Sequence, residues 1–333
     1  MDLRPLNQPA AKEAIKAAIP GLRSSYFQLN HTSARQAMTA MVFLLVIGWV
    51  VVQTGQTWVF LLMVGIAVLL VGIVLPVSIY ADRRSLRTKV DVALRVQALA
   101  KANGWAYQNT AAMVSQGVLF TAGHDYSFSN VVTAPDFQVG QCHFLTGSGK
   151  NEQESRYGYI VIPLKQQLPN MLLDGKSNNV GVFGLEMSNL PGTFSRDQIV
   201  SLEGDFDKYY TLYAPKEYQA DVRYVFTPDL MQALIAESDS IDIEIIDNKM
   251  LVYLGKDDIG TEVFWQRVEQ FLKIVGDKIQ RQTARYEDDK SLVLGVVAPQ
   301  GRRLKRGVSV FVIVVIVFYL LDIVLKAVDI FHQ

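Results

Sequence analysis

Residues 241–254 read Ile-Asp-Ile-Glu-Ile-Ile-Asp-Asn-Lys-Met-Leu-Val-Tyr-Leu, and this stretch decides the fold class. Ile241, Ile243 and Ile245 alternate with Asp242 and Glu244, the two-residue period of a β-strand with one covered face. The run Lys249–Leu254 is β-branched and aromatic, and Asp247-Asn248 between the two is a turn signal. The expectation is two strands, Ile241–Ile246 and Lys249–Leu254, joined as a hairpin. A helical pattern precedes them over Thr227–Ser238, with Pro228 in the first turn and Asp229 beside the positive helix end. A long amphipathic pattern follows over Gly260–Tyr286, carrying Val263, Phe264, Phe271, Leu272, Val275 and Ile279.

Further out, short runs alternate with turn residues at Phe137–Thr146, Arg156–Leu164, Val180–Met187 and Gln198–Tyr213, and Thr146–Glu154 reads as a hairpin loop. Asp82 to about Asn103 has an apolar stripe, Leu86, Val90, Leu94 and Leu99, Asn103-Gly104 stops it, and this helix is expected to continue directly from the apolar segment that ends at Tyr80. Strands run consecutively with helices at the ends and one between. The sequence therefore predicts an α+β domain over 81–306, mainly antiparallel, with flanking helices.

Outside that domain lie two apolar blocks. Ala37–Tyr80 carries no charged residue and is broken by Gln53-Thr54-Gly55-Gln56-Thr57. About 20 helical residues cross a bilayer, so 37–80 is predicted to be a transmembrane helical hairpin, with Pro76 a kink site in the second arm. Val308–Val328 is predicted to be a C-terminal transmembrane helix within 307–328. This leaves a cytosolic arm over 1–36 and an external tail over 329–333. Residues 10–19 suggest a short amphipathic helix ended by Pro20-Gly21. Arg83, Arg84 and Arg87 follow the hairpin, and Arg302, Arg303, Lys305 and Arg306 precede the last block. Bases on the inner side orient such segments, so these residues predict a multi-pass protein of the bacterial inner membrane with its main domain in the cytosol. A cleaved signal is not expected, because more than thirty residues precede the first apolar arm.

The chain has 333 residues, 32 basic and 32 acidic, and a hydrophobic share of 50%. A neutral balance argues against a nucleic-acid partner. Within 81–306, once the basic flanks and Asp82 are removed, 18 bases face 27 acids, so the domain body is acidic.

Chemistry-bearing patterns are sparse. Glu203, Asp205 and Asp207 alternate; on a strand they would share a face and could hold a hard divalent cation, although a solvent face over buried Leu202 and Phe206 explains the same pattern. Cys142 is the sole cysteine, beside His143, with His124-Asp125 elsewhere; neighbours on a strand point apart, so a Cys142–His143 dyad is excluded there. Gly147-Ser148-Gly149-Lys150 fails as a phosphate loop, because Phe144 stands at the position needing glycine and Asn151 follows the lysine. No cofactor motif is present, and none is expected. Asp322 and Lys326, four apart, can pair on one helix face as an interfacial anchor or a helix–helix contact.

The segments SLEGDFDKYYTLYAP (201–215), YVFTPDLMQALI (224–235) and IDIEIIDNKMLVYL (241–254) resemble part of a family of uncharacterised bacterial membrane proteins with N-terminal spans and a cytosolic α+β domain. The resemblance covers about Gln198–Leu254 and, less closely, Asn103–Leu164. It implies no reaction and no site residue. The expected function is binding, as a scaffold, accessory subunit or sensor, with the lipid bilayer and a protein partner or second copy as contacts. The alternatives are a membrane-anchored hydrolase using the acidic triplet or Cys142, and a subunit of an oligomeric transporter or channel.

Overall fold

The computed structural model describes residues 1–26, 39, 42–43, 46–47, 49–50, 53, 57–113, 116–182, 185–239, 241–255, 258–307 and 319. The chain divides into two compact units, Arg4–Leu99 and Met1–Leu3 with Ala100–Gln333.

Among the described residues, the first unit holds α1 (Lys12–Tyr26) and most of α2 (Thr57–Ala102). α1 runs through Pro20 instead of stopping there. α2 is a single rod of 46 residues, unbroken at Pro76, and it ends where Asn103-Gly104 predicts. Residues 4–10 are stapled to α2: Arg95 Nη1 donates to the Leu6 carbonyl at 2.9 Å, and the Ala10 amide donates to Asp91 Oδ1 at 2.8 Å. Arg95 and Asp91 also pair with each other, one turn apart, at 2.9 Å. Val90, Ala93, Val96 and Leu99 are buried on this part of the rod.

Among the described residues, no helix is long and apolar enough to cross a membrane. The fold class with three transmembrane helices is corrected accordingly: what stands is the α+β domain. The expectation came from hydropathy, which reports that a segment avoids water but not what covers it. The second arm and the helix expected from Asp82 are continuous, as predicted: together they form α2, whose second half carries Arg83, Arg84, Arg87, Asp91, Arg95 and Lys101. Most of the first arm, and the C-terminal block with Asp322 and Lys326, lie outside the described residues.

The second unit is built on a seven-stranded sheet. Its strands are β1 (Ala106–Ala111), β2 (His124–Thr133), β3 (Gln138–Thr146), β4 (Gln153–Gly175), β7 (Ile199–Val200), β8 (Tyr210–Tyr213) and β9 (Asp242–Tyr253). A separate pair, β5 (Val180–Val182) and β6 (Leu185–Met187), forms a two-stranded sheet. The order is β1-β2-β3-β4-β8-β7, with β9 on β4, and every pairing is antiparallel. β4 is the spine. It pairs β3 through Gln153–Val161 and β8 through Leu172–Gly175, while β9 follows it from Tyr159 to Leu173.

The predicted hairpin at Asp247-Asn248 does not form: β9 is one continuous strand. Asp247 does take the left-handed backbone that its type tolerates, at φ 54°. Instead of reversing the chain, it lies against register breaks in β4 between Pro163 and Leu168 and between Leu168 and Met171. These extra residues bend β4 and eject Lys165 and Gln167 from the ladder.

Three helices close the domain: α4 (Gln219–Val225), α5 (Pro228–Ala236) and α6 (Glu262–Phe271). α6 continues through a π-turn (Leu272–Gly276) into α7 (Asp277–Thr283). α6 buries Phe264, Trp265, Val268 and Phe271, and Trp265 Nε1 donates to the Ile259 carbonyl at 2.8 Å. Val263, predicted on the buried face, is 74% exposed. One end of the core is aromatic: Phe120 meets Phe128 and Tyr159 edge-on, both at 5.2 Å, and Tyr253 at 5.7 Å.

Candidate functional site

The acidic triplet does not form the expected strand face. Glu203 and Asp205 sit in an exposed loop, and Asp207 belongs to the one-turn helix α3 (Phe206–Tyr209). Asp205 pairs with Lys208 at 2.7 Å. Asp207 accepts from the Leu202 amide at 3.2 Å and from the Ser201 hydroxyl, which folds the loop over buried Phe206. Among the described residues, no group of three or more His, Cys, Asp or Glu could hold a metal ion. The strand reading failed because Gly204 takes φ 70° and turns the chain where alternation predicted continuity.

Cys142 lies on β3, fully buried within the aromatic cluster, opposite Phe128 on β2 and Tyr157 on β4. Burial pushes its thiol up to about 12, so it stays neutral and poorly nucleophilic. His143, its neighbour, faces the other way, with Nε2 2.6 Å from Glu154 Oε1; His124 Nε2 lies 3.6 Å from Glu152. Both histidines are engaged by glutamates rather than by the thiol.

A buried acidic row was not legible in the sequence. Leu172 lies opposite Glu244 and Leu173 opposite Ile243, and continuing this register sets Asp174 beside Asp242. All three carboxylates are buried. Glu244 accepts from the Val118 amide at 2.6 Å, Tyr253 Oη at 2.8 Å and Asn170 Nδ2 at 3.1 Å. Asp242 accepts from the Gly175 amide at 2.8 Å and from Asn178 Nδ2 and Asn189 Nδ2, both at 2.9 Å. Asp174 accepts from the Ser188 hydroxyl at 2.9 Å. Burial raises the proton affinity of all three, Asp174 up to about 7. The bonds run inward to the sheet and its loops, so the row organises the fold.

Bases expected to lie at a membrane are docked on the domain. Arg302 Nε donates to the Val297 carbonyl at 2.8 Å, Arg303 lies 3.5 Å from Asp247, and Arg306 sits 4.8 Å above the Phe194 ring. Lys305 joins the sheet margin through its backbone: its amide donates to Gln198 Oε1 and its carbonyl accepts from Gln198 Nε2, each at 2.8 Å. Arg83, Arg84 and Arg87 are exposed on α2.

The unexplained feature is the loop 291–295, Ser-Leu-Val-Leu-Gly. Leu292 is 104% exposed and Leu294 90%, with Val293 at 60% between them. Its base is staked. Asp288 accepts from Tyr218 Oη and the Ala298 amide, both at 2.8 Å, and from the Lys290 amide at 3.0 Å. Asp221 accepts from Tyr286 Oη at 2.7 Å and Lys290 Nζ at 3.1 Å. Within the tip, the Val293 amide donates to Ser291 Oγ at 3.2 Å, and Gly295 takes φ 71° to turn the chain back. Three successive apolar residues on a rigid base spend solvent exposure that an ordinary polar turn avoids. The available signal was the apolar triplet Leu292-Val293-Leu294, one residue after the charged run Asp288-Asp289-Lys290.

No known protein family matches the chain, and no curated protein matches it. A solved structure that does match is the crystal structure of the mycobacterial trehalose monomycolate transport factor A, TtfA, at 15% identity and a TM-score of 0.35, covering 58% of this chain and 94% of that one. A likeness of that size carries no functional argument.

Proposed function

We propose that the chain acts by binding, its α+β domain serving as a scaffold or accessory module that presents the 291–295 tip to a protein partner. The observation that supports this reading is the near-complete exposure of Leu292 and Leu294 on a loop fixed at its base by Asp288 and Asp221. Covering a leucine side chain yields about 1.5–3 kcal/mol. A loop already held in shape loses little further conformational freedom on docking. Large apolar side chains at the centre of a contact carry most of its energy.

A photo-crosslinking residue at Val293 of the full chain should give a discrete protein adduct in cells. L292S/L294S should cut its yield about tenfold while leaving thermal stability unchanged, since both side chains are almost wholly exposed. An adduct at twice the chain's mass would make the partner a second copy. Adducts with lipid alone, or a yield no higher than from the same residue placed at exposed Glu217, would overturn the reading.

A further inference from the structure

A second feature, independent of the tip loop, lies where α7 ends beside the bent part of β4. A cleft of about 580 Å³ is lined there by Lys165, Tyr224, Gln280, Arg281, Gln282 and Arg285. That volume is in the range of small-molecule sites, about 300–1,000 Å³.

The charge in this cleft is all of one sign. Lys165, Arg281 and Arg285 line it, and no carboxylate does. Among the described residues, none of the three has an ion pair or a side-chain hydrogen bond. Some bases of the domain do have acidic partners: Arg156 has Glu154, Lys208 has Asp205, Lys290 has Asp221 and Asp289, and Arg303 has Asp247. The acid on α4, Asp221, is occupied by Tyr286 and Lys290. In a body where 27 acids outnumber 18 bases, three bases around one hollow with no carboxylate in its lining make the hollow locally cationic and attractive to an anion.

Two of the cations have a simpler use, since bases in a last helical turn offset the negative helix end. That reason covers Arg281 and Arg285. It does not cover Lys165, which comes from another element and is pushed out by the register break in β4. The walls are tied in place as well: Gln282 Nε2 donates to the Tyr224 carbonyl at 2.5 Å, and Gln280 Nε2 to the Pro163 carbonyl. Each amide spends one donor on the backbone, which holds its side chain against the wall. The Tyr224 ring, 43% exposed and 6.0 Å from Tyr286, adds an aromatic wall.

We infer that this cleft binds a phosphate-bearing anion, held by the Arg281 and Arg285 guanidinium groups with Lys165 opposite. Guanidinium forks match the oxygens of a phosphate two at a time, and an ammonium supplies a point charge. A free phosphate compound and the headgroup of an anionic lipid share this chemistry.

The test is calorimetric titration of the full chain with inorganic pyrophosphate, alongside flotation with phosphatidylcholine vesicles with and without phosphatidylglycerol. Saturable pyrophosphate binding is expected, weakened about tenfold or more by R281Q/R285Q and less by K165Q. Binding should also fall as salt is raised. The variants should melt within a few degrees of the wild type, because all three side chains are exposed and a helix-end charge is worth under about 1 kcal/mol. Retention only on phosphatidylglycerol vesicles, lost in R281Q/R285Q, would support the site with a lipid headgroup as its source. Absence of binding to both probes, or binding that R281Q/R285Q leaves intact, would overturn the inference.

Discussion

Asp174 shows how a single carboxylate can be set by its surroundings. It is buried, faces Asp242 across the ladder, and has one hydroxyl donor, Ser188. Burial chiefly, then Asp242, pushes it up to about 7, above the ordinary value near 3.9. The folded state therefore holds this proton more tightly than the unfolded chain does. Its contribution is present in full below about pH 4, is lost as pH rises towards 7, and is constant above that. Asp174→Asn keeps an acceptor for Ser188 and cannot ionise. Its stability relative to wild type, read by urea unfolding, should be near zero at pH 4 and should climb with pH to a gain of roughly 1–3 kcal/mol at pH 8. A pH-independent difference would contradict the assignment. Cys142 is the opposite case, a residue type that invites chemistry but is held inert by its surroundings.

At the scale of elements, β4 and α6 meet through a glycine. A Cβ on Gly158 would lie 2.7 Å from Phe264 Cε2, so α6 rests directly on the strand backbone. Gly158→Val should displace Phe264 and cost about 1–3 kcal/mol, the usual range for overpacking; chemical denaturation would show it, and an unchanged midpoint would mean that α6 can shift freely. Elements with strong local signals were legible: β3 within one residue of its predicted start, α5 from Pro228, and the end of α2 at Asn103-Gly104. β4 was only partly so. Its first half reads as a strand, but Pro163 and the polar Lys165-Gln166-Gln167 interrupt the pattern where the register breaks. Asp247-Asn248 misled for the same reason, because a left-handed residue serves a bulge as well as a turn.

At the scale of the whole molecule, the described chain closes on itself near residue 305. Gln198, buried, exchanges two side-chain hydrogen bonds with the Lys305 backbone. The Leu304 amide donates to Asn170 Oδ1 at 3.1 Å, and Asn170 in turn donates to Glu244. The closing segment is thus wired to the acidic row. Gln198→Ala should cost about 1–3 kcal/mol, since it strands buried backbone groups at Lys305. Loss below about 0.5 kcal/mol in denaturant titration would show that water replaces the amide. Nothing in the local sequence pairs residue 198 with 305, or Lys165 with Arg281.

The sequence by itself determined the α+β class and the antiparallel habit of the sheet, because strand alternation and helix periodicity are properties of neighbouring residues. It also marked where the apolar segments lie, though not what covers them. The tertiary structure alone decided which polar groups meet: Asp174 beside Asp242, Gln198 on Lys305, three cations around one cleft, two leucines left bare on a rigid loop. These meetings depend on register, and register here is shifted by bulges in β4, so each is a long-range outcome that no local period records.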